Sequence, residues 1–164
     1  MSKKYSIKSM SYAERLGWVT SLICSVRTYD DFPIASISAW VIPNLHMGQV
    51  EVFFDENRKA CGYISWAHLT AAQERKWLSD APGVWHISEF KEGEVVWVLD
   101  LVALPGHLKK CLFAATEILG ANGSVRFCRR HRVHRWYRNA RGKVSRTIVD
   151  LTSENAHCQL NQPS

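Results

Sequence analysis

The chain has 164 residues, of which 46% are hydrophobic and 22% charged, and a formal net charge of +6. That length suits one domain with a real core; no apolar run approaches the roughly 20 residues that cross a bilayer. The five cysteines (Cys24, Cys61, Cys111, Cys128, Cys158) are odd in number and scattered, with no C-x-x-C pair. They support neither a zinc ribbon nor a redox motif and point to reduced thiols in a cytoplasmic protein, with no metal expected.

The first residues, MSKKYSIKSMSYAERLGW, carry charge but no apolar stretch before a cleavage site, so a secretory signal is not expected. Over 11–28, Tyr12, Leu16, Val19, Ile23 and Val26 recur at helical spacing, with Ser11 as N-cap. Pro33 pushes the residue before it out of the helical region and ends the segment. IASISAWVI (34–42) alternates and predicts a strand. QVEVFFD and KACGYISWAHL predict two more strands around the turn Glu56-Asn57-Arg58. Thr70 opens the helix TAAQERKWLSD, with Glu74 near its first turn.

APGVWHISEFKEGE is turn-rich, and VVWVLDLVAL reads as a strand buried on both faces. Pro105-Gly106 stops it, and HLKKCLFAATEILG continues as a helix capped by Gly120. SVRFCRRH and HRWYRNARGKVSR predict one or two further strands around a basic turn, and 153–164 reads as a polar tail. One α/β domain over residues 1–152 follows.

Residues 94–115 carry the strongest chemical signal. A buried strand meets a helix through Pro-Gly, so the amides of Gly106, His107 and Leu108 are free donors at a helix N-terminus. Such an end takes a phosphate or pyrophosphate, although an unliganded strand–turn–helix has the same spacing. Asp100 sits inside the apolar run, where a charge is expensive without a partner. It serves either as a buried ion-pair or hydrogen-bond partner, or as a base or the orienter of one.

FFDENRKACGYISWAHLT followed by WVLDLVALPGHLKK resembles the RTX toxin-activating lysine acyltransferases. Those proteins carry a similar strand–turn–strand ending in Ser-Trp-Ala, then a Trp-x-x-Asp strand running into a glycine turn. Asp55–Leu69 and Trp97–Gly106 match best, 32–45 more loosely, and the likeness fades in the basic C-terminal third. The resemblance implies a GNAT-like acyltransferase domain, a central mixed, mostly antiparallel sheet with helices on both faces. It also implies transfer of an acyl group from acyl carrier protein or CoA to a protein lysine, with no covalently bound cofactor.

Of the family's two catalytic positions, the Asp falls on Asp100 and the His on Tyr29. A phenol near pKa 10 is a poor base at neutral pH, where an imidazole is a good one. Four readings stand: Tyr29 is an acid for the leaving thiol, Asp30 or Asp31 takes over as base, the acceptor amine needs little deprotonation, or catalysis is lost. In such a sheet Ser65 and Trp66 would shape the pocket floor, with His68 at the strand's exit. Trp66 has core packing as its ordinary role. Val102, Leu104, Gly106, His107 and Lys109 would hold the donor, with a backbone amide near Val102–Leu104 as the oxyanion donor.

The charge concentrates in RFCRRHRVHRWYRNARGKVSR (126–146). Arg129, Arg130, Arg132, Arg135 and Arg138, interleaved with Trp136 and Tyr137, suit an anionic partner: an acidic carrier protein, the phosphates of CoA, or nucleic acid. A twisted hairpin with a solvated basic face reads equally well. Beside lysine acylation stand two alternatives, a nucleic-acid base-modifying acyltransferase and a non-catalytic binding module. A monomer or a homodimer is compatible with all three.

Overall fold

The computed structural model describes residues 10–79, 85–120, 124–129, 132–138 and 144–150. The tail at 153–164, the domain limit at 152 and Arg130 lie outside them. Helix α1 (Tyr12–Cys24) starts where expected: Ser11 and Glu14 form a reciprocal capping box that satisfies two orphan donors at once. A 3-10 turn, Arg27–Tyr29, follows. Strands β1 (Val50–Phe54) and β2 (Ala60–Leu69) form a hairpin whose turn places Arg58 at φ 61°. Thr70 and Gln73 cap α3 (Ala71–Leu78) in the same reciprocal way.

The predicted strand at 34–42 is helical instead. A π-helical turn, Ile37–Val41, runs directly into α2 (Ile42–His46). Ile37, Val41 and Leu45 pack into one core cluster, which is the i, i+4 stripe of a helix, while Ile34 stays 84% exposed. Pro43 explains the wide turn. It has no N–H, and its ring would strike the carbonyl four residues back. The chain widens just before it, with the Ile42 amide bonding to the Ile37 carbonyl.

After a 3-10 turn at Ile87–Phe90, strand β3 (Val95–Ala103) leads through Pro105-Gly106 into α4 (Leu108–Leu119). Gly106, at φ +85°, uses the left-handed freedom that glycine alone has at no steric cost. Gly120 does occupy the C-cap of α4, but with right-handed backbone. Three strands follow rather than two: β4 (Ser124–Arg129), β5 (Arg132–Arg138) and β6 (Val144–Asp150). HRWYRNARGKVSR is thus divided between two strands of a hairpin.

The six strands form one sheet in sequence order. Every neighbouring pair is antiparallel except β3 with β4, which is parallel and paired only at Val96–Val98 with Val125–Phe127. Helices cover both faces. Val19, Leu22 and Ile23 of α1 pack with Val50, Tyr63 and Val102 on one side, and Cys111, Ala115 and Leu119 of α4 pack with Ile64 and Val96 on the other. The expected mixed, mostly antiparallel α/β architecture is the one observed.

Candidate active site

β2 and β3 are adjacent interior strands of the sheet, with Ser65 opposite Asp100 and Tyr63 opposite Val102. The register slips by one between Ser65 and Trp66, so Leu99 of β3 is an extra residue. A bulge breaks the alternation of side chains and re-aims one of them. Here it turns Leu99 and Asp100, consecutive in sequence, toward the same pocket on the α1 side. The pocket is small, with a cavity of about 40 Å³, and is partly open to solvent. Val19, Ile23, Phe32, Trp40 and Val41 form its apolar wall, and Asn44, Tyr63, Ser65 and Asp100 supply its polar groups.

Asp100 has both carboxylate oxygens engaged. Tyr29 donates its hydroxyl to Oδ1 at 2.6 Å, and Tyr63 donates to Oδ2. Burial pushes the Asp100 carboxyl above its ordinary value, while the hydrogen bonds from Tyr29 and Tyr63 and the Leu101 amide pull the other way. Tyr63 is driven well upward, first by burial and then by the neighbouring Asp100 charge. The phenol therefore stays protonated and donates its hydrogen bond to the carboxylate. A carboxyl held above its usual range is a better proton acceptor than an exposed one, because Brønsted efficiency rises as the base approaches working pH. Each charge-assisted bond contributes about 1.5–3 kcal/mol.

The structure brings together Tyr29, Asp100 and Ser65 of the residues singled out in sequence. Trp66 and His68 go elsewhere. Trp66 lies opposite Val98 and packs in the α4-side cluster, and His68 lies opposite Val96, itself in that cluster. Neither lines the Asp100 pocket, because β2 alternates and Tyr63 and Ser65 take the pocket face. Burial lowers the His68 pKa, with Lys91 adding to the effect.

The expected donor residues also divide. Val102 and Leu104 share the Asp100 face, packed against the α1 cluster. Their amides are not free. Leu104 donates to the Cys61 carbonyl at 2.8 Å, and antiparallel alternation points the Val102 amide at β2 as well. The amides that point away from β2 are those of Leu101 and Ala103, on the edge where β3 has parted from β4. Gly106, His107 and Lys109 stand at the N-terminus of α4, outside the lining of the Asp100 pocket, since α4 packs on the opposite face. The His107 side chain does not cap its helix, and its Nδ1 is buried without a partner.

The basic strands are partly committed. Arg126 pairs with Glu74 of α3, and Arg146 meets His134 Nδ1 at 2.6 Å. Phe127 stacks on His134 at 4.7 Å, with Trp136 edge-on at 5.0 Å. Arg132 is exposed and Arg135 half-buried. Arg129 and Arg138 lie on β4 and β5, with side chains outside the description. Among the described residues, no three His, Cys, Asp or Glu side chains gather as metal ligands.

Sequence reasoning assigned no role in a site to Tyr63, Asn44, Trp40 or Trp77, all of which line the pocket. Tyr63 had one signal: it lies two residues before Ser65 on the same strand face. Trp40 comes from the segment misread as a strand, Asn44 from the short helix α2 that follows it, and Trp77 from α3.

The family model of the RTX toxin acyltransferases matches residues 8–140. A comparison with curated proteins gave no match.

Proposed function

The chain belongs to the RTX toxin acyltransferase family, and from that premise we propose that it transfers an acyl group from a thioester donor to an amine beside Asp100. The donor is acyl carrier protein or CoA carrying the acyl chain, and the acceptor is a protein lysine side chain. The observation that carries this reading is the buried Asp100 carboxylate, held by two phenols in the lining of a mostly apolar pocket. The carboxylate takes the proton that the attacking amine must lose. The apolar wall receives the acyl chain.

The amide of Ala103, which points away from β2, is the donor for the oxyanion of the tetrahedral intermediate, since the Leu101 amide is already committed to Asp100. Gly106, His107 and Lys109, at the end of the same strand, receive the polar end of the donor. Arg132 and Arg135 meet an acidic carrier or the phosphates of CoA. The Phe127–His134–Trp136 cluster favours nucleic acid as a second reading for the same strands.

Incubating the purified protein with an acyl-loaded carrier and a lysine-bearing protoxin fragment tests the reading by intact mass. One acyl increment per modified lysine is expected, with acyl-CoA as the alternative donor. No increment with either donor, together with salt-sensitive binding of single-stranded DNA, would move the function to nucleic acid.

A further inference from the structure

We propose that Tyr63 is the substrate-facing catalytic partner of Asp100, relaying the amine proton to the carboxylate, and that Tyr29 is a positioning residue behind it. The inference rests on the acyl-transfer reading above and deepens it. Both phenols bond the same carboxylate, one to each oxygen, yet they stand in different places. Tyr63 and Asp100 line the pocket; Tyr29 is not part of that lining and packs edge-on against Phe32 at 5.4 Å. Tyr63 comes from the middle of β2, clamped between β1 and β3 opposite Val52 and Val102. Tyr29 comes from a three-residue 3-10 turn. A group on the rigid strand is held to the tolerance that proton transfer needs.

The step balances without a co-reactant. The neutral amine nitrogen attacks the thioester carbonyl carbon, and a C–N bond forms. Its proton passes to the Tyr63 oxygen as the phenolic proton moves to Asp100. The C–S bond then breaks, and the same route run in reverse delivers the proton to sulfur. One amide and one thiol result, and nothing is oxidised or reduced.

Tyr63→Phe and Tyr29→Phe separate the two roles, since each keeps its ring and loses only a hydroxyl. With acyl-loaded carrier and lysine acceptor, Y63F should lose roughly 100-fold in kcat with KM little changed. Y29F should lose roughly 3–10-fold by the same measure. In Y29F the acid limb of kcat/KM should move to higher pH, because that hydrogen bond lowers the Asp100 pKa. Equal losses in the two variants, or an unimpaired Y63F, would overturn the assignment. An inactive wild-type protein would remove the acyl-transfer reading itself. Should Y63F fail to fold, fluorotyrosine at position 63 keeps the hydrogen bond and changes the phenol's acidity; kcat must then respond, and an unchanged kcat overturns the relay.

Discussion

The two faces of the β2–β3 pair, built from alternating residues of the same two strands, differ sharply in chemistry. Toward α4, Ile64, Val96, Cys111, Ala115 and Leu119 form a core of apolar side chains and thiols. Cys61 and Cys111 belong to it, and burial pushes the Cys111 thiol up to about 12, where it behaves as a small hydrophobe. Toward α1, Tyr63, Ser65 and Asp100 interrupt an equally apolar layer with a hydrogen-bonded carboxylate. The α4 face is organised for packing. The α1 face accepts a buried charge, which costs stability unless its donors are in place.

Substitutions on the two faces should therefore fail in different ways. Leu119→Ala, in the α4 core, should cost about 2–5 kcal/mol of stability by transfer and cavity effects. Transfer per folded molecule should survive, so chemical denaturation and an activity assay on one sample check both halves. Gly62→Ala comes next. A Cβ there would meet the Val102 carbonyl at 2.5 Å and the Cys111 sulfur at 2.7 Å, so about 1–3 kcal/mol should be lost. A Gly62→Ala protein with an unchanged melting temperature would show that the α4 face is looser than its packing implies.

Asp100→Asn should give a smaller, pH-dependent difference. The folded-state pKa of Asp100 is raised, so the folded state binds the proton more tightly than the unfolded one. That contribution is full below the ordinary carboxylate pKa and is lost as pH rises through the raised value. Melting temperatures of D100N relative to wild type should then climb with pH from about 4 toward neutrality. A flat difference across that range would mean the carboxyl is not buried as described. The smallest effect concerns thiols: exposed Cys24 should react with alkylating reagents in the native protein, and buried Cys61 and Cys111 only on unfolding. Mass mapping of the labelled peptides reads this out.

Much of this contrast was legible in the sequence. A charge inside VVWVLDLVAL has few explanations, and Asp100 was singled out on that ground. Tyr29 and Asp100 were both singled out by family position, and a 2.6 Å hydrogen bond joins them. What stayed hidden has physical causes. The bulge at Leu99 leaves no mark in an apolar run, so the sharing of one face by Leu99 and Asp100 could not be foreseen. Nine residues at 34–42 fit period 2 and period 3.6 alike, and only the partners of Val41 and Asn44 decide between them. Trp66 and His68 drew notice as reactive residue types, but the alternation of β2 sends them to the other face.

The most direct test is acyl transfer by D100N, followed by intact mass of the lysine acceptor, with the variant's folding verified on the same sample. A loss of roughly 10²–10⁴-fold in a folded protein is the expected result. Wild-type transfer by folded D100N would contradict the assignment of chemistry to this face of the sheet.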